Sequence, residues 1–209
     1  MSSEPTHLAV TYDDVHKTIK ASAEKIRDDF RPDMLIAIGG GGFFPARVLR
    51  TFLKNPETKT NIPIYAIGLS LYETLPNTTA EQIGEQVVRT QWLGPETQKV
   101  LLGRRALIVD EIDDSRKTLQ YAITELEKDV EREIATLPES EREKARTKFG
   151  VFVVHNKRKE KLGIIPEGIK YFAGSEIDDV WLDYPWEASD IDAHNRAAAA
   201  AAAAAAGSA

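Results

Sequence analysis

One segment concentrates residue types that do chemistry: Asp110-Glu111-Ile112-Asp113-Asp114-Ser115-Arg116-Lys117-Thr118. Two adjacent carboxylates at the end of a strand accept hydrogen bonds from a vicinal diol, directly or through a hydrated magnesium ion. The polar turn behind them opens a helix. Backbone N–H groups at a helix start, with the Ser115 and Thr118 hydroxyls and Lys117 beside them, form a cradle for a phosphate group. The stretch therefore suits both ends of a ribose 5-phosphate, although an acidic loop that only caps a helix contains the same residue types. A second unusual stretch is Gly39-Gly40-Gly41-Gly42. Four consecutive glycines remove every Cβ and let backbone amides approach a polyanion closely; a tight turn alone needs one or two. The run is not a dinucleotide fingerprint, because the last glycine of G-x-G-x-x-G would fall on Phe44 or Pro45. The chain also lacks G-x-x-x-x-G-K-[ST], so a nicotinamide enzyme and a P-loop kinase are both disfavoured.

Both stretches follow apolar runs of strand length. Met34 to Ile38, Ala106 to Val109 and Phe149 to Val154 are continuously apolar, which indicates strands buried on both faces. Ile62 to Leu71 reads as a further strand. Val15, Ile19, Ala23, Ile26 and Phe30 recur at helical spacing behind caps at Thr11, Asp13 and Asp14. A second helix from Pro45 carries Val48, Leu49, Phe52 and Leu53, and a third carries Leu119, Ile123, Leu126 and Val130. Glu73 to about Thr90 is a long polar excursion, read as a mobile hairpin. Glu131 to Lys148, with Pro138 inside, reads as a solvated helical extension. Buried strands alternating with amphipathic helices predict an α/β fold with a mainly parallel sheet flanked by helices. Ligands bind such sheets outside the carboxyl ends of the strands, where the glycine run and the acidic turn both lie.

The 209 residues are 42% hydrophobic and 29% charged, which supports one full core and argues against a disordered chain. Lys plus Arg number 27 against 33 Asp plus Glu, and the net charge of -6 speaks against attachment to nucleic acid by global positive charge. The absence of cysteine excludes disulfides, thiolate metal sites and cysteine nucleophiles. No apolar run approaches the roughly 18 residues of a membrane span. Met1 to Pro5 lacks the order of a signal peptide, so a cytoplasmic protein without membrane or nucleic-acid partners is expected. Ala197 to Ala206 and the closing Gly207-Ser208-Ala209 have no polar face; residues 197–209 read as a placeholder or cloning scar and are set aside.

The string from Ala106 to Thr118 resembles the PRPP-binding motif of type I phosphoribosyltransferases. The chain from about Val10 to Arg196 is similar to the yeast hypoxanthine-guanine and xanthine phosphoribosyltransferases. Ile36 to Arg47, Leu69 to Glu73, Arg89 to Trp92 and Trp181 to Trp186 carry that similarity in the family's order. The resemblance implies one domain over 10–196: a core of about 32–156 and a purine hood of about 157–192 that includes the N-terminal segment. It implies transfer of ribose 5-phosphate from PRPP to a 6-oxopurine in a homodimeric enzyme that uses Mg2+, forming a purine nucleotide and pyrophosphate. By the same resemblance, Asp110 and Glu111 take the ribose hydroxyls and the magnesium, and Asp114 is the acid–base carboxylate near purine N7. Asp114, Ser115, Arg116, Lys117 and Thr118 bind the 5-phosphate, and Gly39, Gly40, Gly41 and Gly42 form the pyrophosphate loop, with a strained, often cis, peptide at Gly39-Gly40. Tyr72, with Ser70, belongs to the lid over pyrophosphate. Trp181 stacks on the purine, Leu182 offers backbone contacts, and Lys157 (or, with a one-residue shift, Asn156) meets the 6-oxo group. Glu187 or Asp190 supplies a second metal carboxylate.

Three positions depart from the family pattern. Arg116 stands where glycine is common, Leu71 precedes Tyr72 where a serine is usual, and Gly40 replaces a frequent basic residue. The glycine run with Phe43 is similar to the hypoxanthine-guanine type and Trp181-Leu182 to the xanthine type; the former is favoured. A non-catalytic regulator of the same fold, sensing PRPP or a nucleotide, is the alternative. Such a protein is expected to lose the catalytic carboxylate or the lid, and this chain keeps Asp114 and Tyr72. Outside these motifs, Trp186 reads as structural, His155 as a satisfied buried histidine, Arg47 and Arg50 as solvated or partner-facing, and Asp190, Asp192 and His194 as an exposed polar terminus.

Overall fold

The computed structural model describes residues 6–54, 57, 59–71 and 87–207. In chain order the elements are β1 (His7–Ala9), α1 (Tyr12–Asp29), β2 (Met34–Gly39), α2 (Phe43–Phe52), β3 (Ile64–Leu71), β4 (Val87–Gln91) and α3 (Pro95–Leu101). They continue with β5 (Arg105–Asp113), α4 (Lys117–Ala135), α5 (Glu139–Ala145), β6 (Lys148–Lys157), β7 (Lys170–Ile177), β8 (Trp181–Asp183) and α6 (Ile191–Gly207).

Six strands form one sheet in the order β4-β3-β2-β5-β6-β7, and β1 pairs with β8 in a small second sheet. All pairs in the large sheet are parallel except β3 with β4. The apolar runs are continuous because helices cover both faces. Leu107, Val109, Phe152 and Val154 point to one side, against Val15, Ile19, Ile26 and Leu49 of α1 and α2. Ala106, Ile108, Val151 and Val153 point to the other, against Leu119, Ile123, Leu126 and Val130 of α4. Thr11 starts α1 with a capping box: its side chain accepts from the Asp14 amide, and Asp14 accepts from the Thr11 amide.

The α/β expectation holds, with shifts at particular boundaries. The second helix begins at Phe43, two positions before Pro45, because the glycine run already turns the chain. β5 runs on through Asp113, so Asp110 and Glu111 lie inside the strand rather than in a turn after it. β6 likewise reaches Lys157. Pro138 separates α4 from α5 within the charged stretch. α3 has no counterpart in the sequence reading. The alanine run continues α6, exposed along most of its length, as alanine's helix propensity favours.

From β2 the chain crosses to β3 on one side, whereas β5, β6 and β7 follow one another on the other. The strand order therefore reverses between β2 and β5. Such a switch point opens a crevice at the carboxyl ends of those strands. β2 ends there in Gly39 and β5 in Asp113.

Candidate active site

The crevice has a volume of about 220 Å³ and is walled by Gly39 to Gly41 on one side and Asp110 to Arg116 on the other, with Thr118 at its floor. The Gly39-Gly40 peptide is cis, the form the resemblance implied there. A Cβ on Gly41 would lie 1.9–2.1 Å from the Glu111 carboxylate atoms. Glycine at this position is thus what lets the acidic strand end and the loop share one space.

Asp110 and Glu111 are pressed together. Asp110 is buried, and burial, then the charge of Glu111 beside it, pushes its carboxyl well above the usual carboxylate range. Glu111 Oε2 is buried without a hydrogen-bond partner among the described residues. Two crowded acids with an unsatisfied oxygen are suited to a divalent cation or to hydroxyl donors.

Behind them the turn is braced from below. Arg116 takes the left-handed conformation, φ 69°, at the start of α4. Its guanidinium meets the fully buried Asp113 carboxylate at 2.8 Å and lies 5.0 Å from the Tyr171 ring centroid, and Tyr171 donates to the same carboxylate at 2.8 Å. Lys161 Nζ donates to the Asp113 and Asp114 carbonyls at 2.7 and 2.8 Å. Arg116, Asp113, Tyr171 and Lys161 thus shape the turn. Their role was not visible in the sequence, because Tyr171 and Lys161 come from another loop and strand. Arg116 gives α4 no side-chain cap, and the Lys117 amide reaches only the Ser115 hydroxyl, at 3.4 Å, so this helix start, beside Ser115, Lys117 and Thr118, is suited to an anion.

Asp114 sits in a square of alternating charge. Its carboxylate receives Lys157 at 2.8 Å and Lys159 at 2.9 Å, and Asp179 receives the same two lysines at 3.4 and 3.0 Å. Burial would raise the Asp114 pKa, but the two lysines outweigh it and hold the carboxyl below its ordinary value. Lys157 is buried on this face, whereas the alternation of β6 turns Asn156 to Glu176 on the other, at 2.8 Å. Lys159 and Asp179 were missed in the sequence; the Lys-x-Lys spacing at a strand end was their only signal.

In the small second sheet, Trp181 is 54% exposed and lies 6.2 Å from the His7 ring, whose Nδ1 meets Asp183 at 2.9 Å. Leu182 is buried in the core while its backbone pairs with Leu8. Glu187 is raised by burial and then by the charge of Glu111, which places it within electrostatic reach of the crevice. Asp190 instead accepts from the Ala193 amide at the head of α6. His194 donates through Nε2 to the Val10 carbonyl at 2.8 Å. His155 is buried and held down to about 4 by desolvation, against a small opposing effect of Asp14, so it is neutral. Ser70 is the penultimate residue of β3, and Tyr72 and the predicted lid as far as residue 86 lie outside the described residues, whereas the end of that excursion, 87–90, is strand β4 paired with β3.

No family model matches the sequence. Individual relatives are close. Hypoxanthine-guanine phosphoribosyltransferase of Schizosaccharomyces pombe is 50% identical over 92% of this chain and 94% of its own length. Xanthine phosphoribosyltransferase 1 of Saccharomyces cerevisiae is 44% identical over 94% and 97%. Among solved structures, a Neisseria gonorrhoeae protein with bound ppGpp is 43% identical, with a TM-score of 0.76 over 95% of this chain and 99% of that one. The purine phosphoribosyltransferase of Pyrococcus horikoshii, at 24% identity and a TM-score of 0.60 over 90% and 97%, shares the fold. With identities of this size spanning nearly the whole of each chain, and with the strand order and crevice described above, the chain belongs to the type I purine phosphoribosyltransferases and is an enzyme of purine salvage.

Proposed function

We propose that this enzyme transfers ribose 5-phosphate from PRPP to N9 of a 6-oxopurine, with hypoxanthine and guanine preferred over xanthine, and releases pyrophosphate. The observation that carries the reading is the convergence at one switch-point crevice of the carboxylate pair, the amide-rich helix start, the Cβ-free loop and the Asp114–Lys157 pair. Relatives named for hypoxanthine and guanine, at 50% and 48% identity, support the base preference over the xanthine-named one at 44%. The Neisseria gonorrhoeae relative binds ppGpp, a guanine nucleotide carrying diphosphates.

Each group has a task that follows from its chemistry. Asp110 and Glu111 accept the ribose hydroxyls and are the residues that would hold Mg2+, whose chemistry when bound is neutralisation of the diphosphate charge. The amides at Lys117 and Thr118 with the Ser115 hydroxyl bind the 5-phosphate, while Arg116 keeps the turn in shape through Asp113. The loop Gly39 to Gly42 faces the pyrophosphate, with the Gly42 amide itself taken by the Ile38 carbonyl at 3.0 Å. Cleavage at the anomeric carbon builds positive charge on the ribose, which the nearby carboxylates favour. Asp114, ionised at neutral pH, takes the purine N7 proton, and Lys157 hydrogen-bonds the 6-oxo group. Trp181 covers the base, and Glu187 adds a carboxylate beside Glu111. We place Tyr72 in a lid that excludes water, and a core, a hood and a cytoplasmic homodimer in keeping with the family resemblance.

A spectrophotometric assay with PRPP and Mg2+, offering hypoxanthine, guanine, xanthine and adenine in parallel, tests this. Turnover of hypoxanthine and guanine above xanthine, with none of adenine, is expected. A preference for xanthine would reverse the base assignment. Adenine turnover would remove the Lys157 role.

A further inference from the structure

Glu111 presents its carboxylate to the crevice, yet its backbone is held from a distant part of the chain. The pairing of β2 with β5 stops at Val109, whereas β5 stays paired with β6 as far as Asn156. Beyond Val109 one side of β5 has no strand neighbour. The Glu111 carbonyl takes the Tyr184 hydroxyl instead, at 3.0 Å. A carbonyl only accepts, so the phenol proton goes to Glu111 and the phenol oxygen accepts from His155 Nδ1, 2.9 Å away. That chain of bonds selects the Nδ1–H tautomer of His155. Tyr184 and His155 are only 3% and 7% exposed, so neither bond is exchanged for water at low cost.

The Tyr184 ring is itself fixed. It stacks on Trp186 at 4.6 Å and 10°, and Trp186 stacks on Phe44 at 5.3 Å and 12°. Phe44 lies in the first turn of α2, directly behind the glycine run. A rigid aromatic column therefore joins the hood to the pyrophosphate loop and pins the Glu111 peptide on its way. The Glu111 carboxylate lies against Gly41 and its Oε2 has no partner among the described residues, so no side-chain bond of its own fixes its direction and the backbone sets where it starts.

We infer that Tyr184, oriented by His155, is a positioning residue for the PRPP end of the site: its hydroxyl sets the Glu111 peptide plane and with it the direction of the carboxylate pair. The inference rests on the reading that Asp110 and Glu111 receive PRPP and its metal.

Tyr184→Phe keeps the ring stack and removes only the hydroxyl. PRPP affinity is measured by calorimetry in the presence of Mg2+, alongside KM for each substrate and the thermal midpoint, with Glu111→Gln as a parallel variant. Loss of one neutral buried hydrogen bond predicts PRPP binding and PRPP KM about three- to tenfold weaker. Purine KM is expected to stay within about twofold, since the bond acts on the PRPP end. His155→Leu should follow Tyr184→Phe, and His155→Asn, which retains a donor, should restore most of the affinity. If Tyr184→Phe leaves PRPP binding unchanged while Glu111→Gln weakens it, the positioning role is wrong and the site reading survives. If neither variant changes PRPP binding, both are wrong. Equal weakening toward purine and PRPP, with a lower thermal midpoint, would make Tyr184 merely structural.

Discussion

Asp114 shows how a single residue's neighbours decide its chemistry. A carboxylate in this half-buried place would ordinarily be pushed toward its neutral form by desolvation, but Lys157 and Lys159 at 2.8 and 2.9 Å reverse the outcome. It is therefore a base at neutral pH, and a base can contribute roughly 10²–10⁴-fold to a proton transfer. Asp114→Asn is expected to lower kcat by about that factor while PRPP affinity by calorimetry changes little; equal loss of both would remove its acid–base role. Lys159 offers a finer test. Its charge favours the ionised carboxyl, so Lys159→Met raises the Asp114 pKa. The acidic limb of the kcat/KM profile should then move to higher pH. A limb that stays put, or moves down, would detach Lys159 from the reaction.

At the scale of elements, the site is the meeting of two strand ends, and their clearance is set by missing atoms. A Cβ at Gly41 meets the Glu111 carboxyl carbon at 1.9 Å, whereas a Cβ at Gly40 meets nothing within 4 Å. The clashing atoms are the far end of a side chain, so an added Cβ displaces the Glu111 carboxylate from the crevice rather than distorting the backbone. Gly41→Ala should weaken PRPP binding by about tenfold or more, and Gly40→Ala, whose Cβ meets no protein atom, should weaken it less. Similar losses in both would mean that loop flexibility, not clearance, governs the site. The turn between β5 and α4 is held by analogous long-range fits. Gly163 lies under it, where a Cβ would come within 2.5 Å of the Arg116 carbonyl. Arg116 itself offers its guanidinium to Asp113 at 2.8 Å, so a larger residue at this common glycine position braces the turn.

For the molecule as a whole, burial of His155 couples stability to pH. Its pKa is about 4 in the fold against 6.5 when free. A depressed folded pKa means that the unfolded chain binds the proton more readily. Stability from this group is thus complete above about pH 6.5 and is lost as pH falls toward 4. The full loss is about 3 kcal/mol, at 1.36 kcal/mol per pKa unit. Urea midpoints should drop between pH 6.5 and 5, before most carboxylates titrate, and His155→Asn should flatten that stretch. If the wild type shows no slope there, His155 is not buried as a neutral ring. A second whole-molecule feature is Asp129, buried on α4, which receives Gln98 at 3.2 Å and Arg132 at 2.9 Å as well as the Trp92 indole. It ties the residue after β4 to α3 and α4. Asp129→Ala should cost roughly 1–3 kcal/mol in chemical denaturation, because several donors lose their acceptor.

The alternation of elements, the parallel sheet and the two segments that line the crevice could all be read along the chain. Strands buried on both faces must be continuously apolar, and a Cβ-free loop or a carboxylate pair declares itself in adjacent residues. The same local logic stops at contacts between distant segments. Nothing in the run Asp110 to Asp113 says that β5 continues through it, since that depends on β6 lying alongside. Lys159 and Asp179 acquire meaning only when β6 and the segment after β7 bring them to Asp114, and Tyr184 only when it crosses 29 positions to His155. Residue types and periods up to one helical turn are properties of the sequence alone. Which carboxylate meets which lysine, and which hydroxyl holds which carbonyl, are decided by the order in which the strands pair.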